Sequence, residues 1–85
     1  MKELCKFLTR LGWKITIVND NKIRGYKNGD AFIITNDENS SRYYICITER
    51  DSDFCYDQIC NNYLEMQRYI MIFEYARIEY LGEGK

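Results

Sequence analysis

An Asn28–Gly29 pair between two short apolar segments constrains the fold of this 85-residue chain more than any other feature. A type I′ turn needs positive φ at both central positions, and Asn-Gly is a pair that supplies it readily. The preceding segment, Lys22–Lys27, and the following one, Ala31–Thr35, each have the composition of a strand. The sequence therefore predicts a β-hairpin near the middle of the chain.

Two further strands flank this hairpin. Lys14–Val18 is rich in β-branched residues and ends in a turn cluster at residues 19–21, and a polar loop over residues 36–41 leads to Arg42–Thr48. Consecutive antiparallel connections of this kind build a meander. We expect one face of the sheet to pack on helices and the other to remain in contact with water.

Helical patterns occupy the two ends. Lys2–Leu11 places its apolar residues on one face, and Gly12 follows as a helix-ending residue. From an N-cap at Ser52 or Asp53 the chain has no Gly or Pro before Gly82, which predicts a helix over residues 54–81. A strand over residues 69–80 is the alternative. We therefore expect one compact α+β domain over residues 1–85, with a short N-terminal helix, a three- or four-stranded antiparallel meander, and a long or broken C-terminal helix packed on one sheet face.

The charge of the chain is divided unevenly along the sequence. Residues 1–27 carry seven basic and two acidic groups, for a net charge of +5, whereas residues 28–85 carry five basic and eleven acidic groups, for −6. The formal net charge of −1 conceals this separation. Fields of one sign attract surfaces of the other, so the asymmetry indicates binding to charged partners.

The residue types of this chain argue against catalysis and cofactor binding. The chain has no His, so neither a Ser nor a Cys nucleophile has an imidazole base, and no Gly-rich phosphate loop occurs. We predict that the protein is not an enzyme and holds no metal or cofactor. The four cysteines form no C-x-x-C pair, and we expect them to be reduced thiols that serve as small apolar groups. A disulfide within the chain and an intermolecular disulfide are the alternatives. The absence of a long apolar segment and of a leader predicts a cytoplasmic protein without a membrane partner.

A cluster of carboxylates marks the junction between the last predicted strand and the C-terminal helix. It consists of Glu49, Asp51, Asp53 and Asp57, and the preceding polar loop adds Asp37 and Glu38. One interpretation is stabilisation of a helix N-terminus by negative charge. The other is an anionic surface that binds an Arg- and Lys-rich protein, extended by the loop residues if the fold brings the two loops together.

The basic half suggests nucleic-acid binding as the alternative. Its candidate residues are Lys2, Lys6, Arg10, Lys14, Arg24 and Lys27, with Trp13 and Tyr26 interleaved for stacking. The predicted α–β–β–β–α order resembles double-stranded-RNA-binding domains in coarse topology. The Lys-rich start of the last helix in that family is replaced here by Asp53, Phe54, Cys55, Tyr56 and Asp57. An acidic pI of about 5.4 also departs from the usual basic domain.

The C-terminal segment has two apolar stripes at helical spacing. One contains Ile59, Tyr63, Met66, Ile70 and Phe73, and the other contains Cys60, Leu64, Met71, Tyr75 and Ile78. One stripe suffices to cover the sheet, and the other needs the first helix or another molecule. Tyr75, Ile78 and Tyr80 are therefore candidates for a homodimer or partner interface.

These observations favour a small non-catalytic module that binds a host protein or protein complex through its acidic surface. Eleven Ile, two Ala and no Pro indicate an AT-rich genome. In size and composition the chain is similar to the single-domain inhibitors of phages and mobile elements, including anti-CRISPR proteins. The alternative function is a nucleic-acid-binding domain that uses the basic half.

Overall fold

A computed structural model describes residues 2–37, 39–48 and 55–83, with side chains described through residue 75 except those of 55 and 56. The elements are α1 (Lys2–Arg10), β1 (Lys14–Asn19), β2 (Lys22–Lys27), β3 (Asp30–Asn36), β4 (Tyr43–Thr48), β5 (Cys55–Cys60) and α2 (Tyr63–Glu83). The strands form one antiparallel sheet in the order β1-β2-β3-β4-β5. The predicted α+β meander is confirmed, but the sheet has five strands rather than three or four.

The predicted hairpin joins β2 and β3. Asn28 has φ of 52° and Gly29 of 90°, as a type I′ turn requires. Lys27 is paired with Asp30 directly across the turn. The Asn-Gly signal therefore fixes both the position and the register of this pair of strands.

Helix α1 ends at Arg10 and is followed, as predicted, by the helix-ending residue Gly12. This residue has φ of 96°, its amide donates to Thr9, and the amide of Trp13 donates to Leu8. These two bonds form a Schellman motif, which satisfies carbonyl groups at the helix end. The motif turns the chain sharply and directs Trp13 into the core, where it is 4% exposed.

The prediction of a helix over residues 54–81 is wrong at its beginning. Residues 55–60 form β5, in which Cys60 pairs with Tyr43 and Asp57 with Cys46. The helix begins instead at Tyr63, with the side chain of Asn62 accepting the amide of Glu65 at 3.0 Å. Ser52 and Asp53, the predicted N-cap residues, lie outside the described residues. The alternative strand over residues 69–80 is also wrong, because that whole segment is helical.

The core lies between the inner face of the sheet and the two helices. Alternate strand residues point inward and are buried, including Ile23, Phe32, Ile34, Ile45 and Ile47. The helices contribute Leu4, Leu8, Met66 and Ile70 to the same apolar cluster. Because both helices pack on this one face, they leave the outer face of the sheet open, as the sequence predicts.

Candidate functional site

The outer face of the sheet carries large apolar side chains that the helices do not cover. Tyr26 on β2, Ile33 on β3, Tyr44 on β4 and Ile59 on β5 are between 36% and 55% exposed. Their positions follow from strand alternation, since each is adjacent in sequence to inward-facing residues. We call the exposed side of the whole sheet, from β1 to β5, the outer face.

An open groove of about 670 Å³ runs over the β3–β5 part of the outer face. Its lining includes Ile33, Tyr44, Cys46, Asp57 and Ile59. The groove is therefore mainly apolar, with Thr35 and Gln58 as neutral polar groups and the carboxylate of Asp57 at the β5 side. Such a surface fits apolar groups of another molecule better than it fits a small polar ligand.

Charges on the outer face have opposite signs at its two sides. One row across the sheet reads Thr16, Arg24, Ile33, Cys46 and Asp57, as the strand pairing shows. At about 4.8 Å per strand, Arg24 and Asp57 are separated by about 14 Å. Lys14 is also exposed on the basic side. The outer face therefore carries basic groups at its β1–β2 side and the carboxylate of Asp57 at its β5 side.

The structure places two of the predicted acidic residues. Asp57 is exposed on the outer face. Asp37 is half-buried in the β3–β4 loop, where it accepts the amide of Asn39 at 3.0 Å and the hydroxyl of Ser40 at 3.1 Å. These bonds give Asp37 a role in shaping the loop. Glu38, Glu49, Asp51 and Asp53 lie outside the described residues.

The described residues on either side of residues 49–54 lie far from Asp37. Asp37 lies near Tyr43, at the start of β4, whereas Thr48 and Cys55, which bound residues 49–54, lie at the other end of the sheet. Six residues of strand span about 17 Å between the ends. The residues that bound the predicted acidic junction therefore lie at the opposite end of the sheet from Asp37.

The predicted basic residues fall into three separate places. Lys14 and Arg24 lie on the exposed side of the sheet, and Lys2, Lys6 and Arg10 lie on α1, in the helical layer. Lys27 points to the inner face instead. Its ammonium donates to Glu74 at 2.9 Å and to the carbonyl of Leu11 at 2.6 Å, and it lies 5.8 Å from the Trp13 ring. Lys27 is therefore part of a structural network and is withdrawn from any anion-binding surface.

Glu74 is the polar group at the centre of this network, and the sequence analysis missed it. Glu74 is only 7% exposed, and its carboxylate accepts hydrogen bonds from the indole N–H of Trp13 and from the Lys27 ammonium. A buried carboxylate needs such partners to offset its desolvation. The network joins α2 to the sheet and to the end of α1.

The second predicted stripe of α2 is exposed rather than part of the core. Leu64, Met71 and Tyr75 are 46% to 65% exposed, and Ile72 beside them is 68% exposed. In the first stripe Met66 and Ile70 are buried, as expected. Ile59, predicted in the first stripe, and Cys60, predicted in the second, belong to β5 and are not part of the helix. The side chains of Ile78 and Tyr80 lie outside the described residues, so only Tyr75 of the predicted interface is placed.

The cysteines are in two states. Cys5 and Cys60 are free thiols, as predicted, but Cys46 is disulfide-bonded, so the prediction of four reduced thiols is wrong. Burial raises the pKa of the Cys60 thiol, and the nearby charge of Glu65 adds to this effect. Cys60 is therefore a protonated, inert core thiol, whereas Cys46 lies in the groove of the outer face.

Comparison with protein-family models, with curated proteins and with solved structures gives no match. Neither helix, over its described residues, combines the length and the apolar character needed to cross a membrane. Among the described side chains no group of three or more His, Cys, Asp or Glu is arranged to hold a metal ion.

Proposed function

We propose that this chain is a small non-catalytic module that binds another protein through the outer face. The observation that carries the proposal is the exposure of Tyr26, Ile33, Tyr44 and Ile59 on one side of a rigid sheet. A contiguous exposed apolar surface on a small domain marks an interaction site more often than an inert surface. Ile33 at its centre, a tyrosine on either side of Ile33 and charges at the two sides match the anatomy of protein interfaces.

Asp57 is the residue of the predicted acidic surface that lies on the outer face. Its carboxylate lies at the β5 side of the groove, next to Ile59 along the strand. Residues 49, 51 and 53 precede β5 in the sequence and remain predicted contributors. A host protein or protein complex with basic and apolar groups is the partner that this side of the outer face would accept.

The proposed biological role is inhibition of such a complex, in the manner of phage- and mobile-element-encoded inhibitors such as anti-CRISPR proteins. Its support is the Ile-rich and Ala-poor composition and the absence of Pro. The lack of His and of a phosphate-binding loop supports a function by binding rather than by catalysis.

Nucleic-acid binding is the second candidate, because Arg24 and Lys14 lie on the same side of the sheet as Tyr26 and Tyr44. These two tyrosines are two strands and four residue positions apart, which corresponds to about 17 Å. Neighbouring bases in a strand rise only about 3.4 Å. One short segment cannot stack consecutive bases on both rings, and we therefore rank protein binding first.

A pair of matched substitutions tests the proposal. Ile59→Glu places a charge in the groove, and Ile72→Glu places the same charge on the exposed surface of α2. Immobilised protein is used to capture partners from a lysate of cells that express it natively. We expect the parent and Ile72→Glu to capture the same protein, and Ile59→Glu to lose at least nine-tenths of it, with all three showing the same circular dichroism.

Two results would contradict this function. Equal capture by Ile59→Glu and the parent would remove the outer face as the docking surface. Retention of nucleic acid in place of a protein, with binding that weakens steeply between 50 and 200 mM salt, would favour the second candidate.

A further inference from the structure

We infer that a second copy of the chain packs on the outer face, sheet against sheet, and competes with the protein partner for this surface. The inference rests on the proposed function in treating the outer face as a docking surface, and it adds self-association as the regulation of that site. The occupant is identified by charge and by area.

The charge pattern of the outer face is complementary to itself in one orientation. A two-fold axis parallel to the strands and centred on β3 places β1 and β2 of one copy over β5 and β4 of the other. Arg24 then lies above the β4–β5 side of the second copy, within reach of its Asp57, because packed sheets are about 10 Å apart. Ile33 of each copy lies near the axis and packs on its equivalent.

A two-fold axis perpendicular to the strands is disfavoured by the same charges. An axis across the strands would place β1 and β2 over their own equivalents, so that Lys14 and Arg24 would face Lys14 and Arg24. Like charges opposed across an interface are unfavourable and select against that arrangement. The outer face therefore specifies one two-fold arrangement rather than a general tendency to aggregate.

The area of the outer face is adequate for a weak dimer. Five strands at about 4.8 Å and about six residues at 3.4 Å give a surface of about 24 by 20 Å, or about 500 Å² per copy. The total of about 1,000 Å² lies at the lower limit of specific interfaces. We therefore expect dissociation in the micromolar range, so that a tighter partner displaces the second copy. The exposed apolar residues of α2, Leu64, Met71, Ile72 and Tyr75, lie on a single helix and offer less area than the outer face.

A charge exchange across the interface tests this inference without an identified partner. Sedimentation velocity of the full chain, under non-reducing conditions, is measured between 1 and 200 μM for the parent, Arg24→Asp, Asp57→Arg and the double variant. We expect dimerisation by the parent, at least tenfold weaker dimerisation by each single variant, and recovery to within threefold of the parent in the double variant. Tyr75→Glu, on α2, serves as the control and should dimerise like the parent.

Each remaining outcome overturns the inference. A parent that is monomeric at 200 μM excludes the second copy as an occupant, as does a double variant that dimerises no better than its single variants. Loss of the dimer in Tyr75→Glu alone assigns self-association to α2 instead. A monomeric parent that still captures its protein partner through Ile59 leaves the proposed function intact, so the two failures are distinguishable.

Discussion

The buried network of Lys27, Glu74 and Trp13 gives a prediction whose magnitude follows from the structure. In Lys27→Met the aliphatic stem is kept, while the ammonium that neutralises Glu74 and bonds to Leu11 is removed. Breaking a fully buried ion pair costs about 3–5 kcal/mol. The Lys27 side chain is 26% exposed and Glu74 keeps its bond from Trp13, so we expect a smaller loss of about 2–3 kcal/mol.

The converse substitution should cost less. In Glu74→Gln the amide oxygen still accepts the Trp13 N–H, and the partly exposed Lys27 ammonium can be hydrated and keeps the Leu11 carbonyl. We expect a loss of about 1 kcal/mol. In the double variant no buried charge is left unpaired, so its loss should be smaller than the sum of the two single losses by at least about 1 kcal/mol.

Thermal and urea unfolding of the four proteins measure these free energies. A loss of 2–3 kcal/mol in a domain of this size corresponds to a melting temperature lower by about 10–20 °C. Lys14→Met, on the exposed start of β1, is the matched control and should change stability by no more than about 0.5 kcal/mol. A Lys27→Met variant as stable as this control, or additive losses in the double variant, would refute the reasoning.

Four further predictions concern packing and thiols. Gly25→Ala should lower the free energy of unfolding by about 1–3 kcal/mol in urea titrations, because the new Cβ would lie 2.1 Å from the Phe32 ring. Thiol titration of denatured, unreduced protein should find two free groups and, after reduction, four, since the Cys46 disulfide uses two; a count of four before reduction would contradict it. In the native state Cys5 should be alkylated well before the buried Cys60. The free energy of unfolding should fall as pH rises above about 9, because the folded-state pKa of Cys60 is raised above its ordinary 9.0 and ionisation therefore favours the unfolded chain.

The local signals that predicted β1 to β4 and α1 are strong because each is a property of a few adjacent residues. Asn28–Gly29 and Gly12 supply the positive φ values that the turns require, and β-branched residues fill the strands between them. The open outer face followed from the same alternation of side chains. No tertiary information was needed for these elements.

The fifth strand was not predicted because its stability comes from a long-range pairing. Residues 55–60 contain neither Gly nor Pro, and Ile59 falls at helical spacing from Tyr63 and Met66. Pairing of β5 with β4 outweighs that local preference. A signal for the true boundary was present: Asn62 followed by Glu65 is close to a capping box, and Glu65 accepts the amide of Asn61 at 2.7 Å.

The candidate site was predicted only in part for a similar reason. Charge counts along the sequence could not show that Lys27 turns inward to Glu74, because the two residues are 47 positions apart. They also could not place Asp57 in one row with Arg24 and Ile33, since that row depends on four strands in register. The outer face is thus a product of the sheet topology rather than of any one segment.

The most direct test of protein binding by the outer face compares two exposed tyrosines on different surfaces. Tyr44 lies in the groove, and Tyr75 lies on α2. Each is replaced singly by the photo-reactive residue benzoylphenylalanine, and the protein is irradiated in cells that express it natively. A partner protein crosslinked from position 44 and not from position 75 is the result we predict, whereas protein crosslinks from position 75 alone, or crosslinks to nucleic acid from position 44, would contradict it.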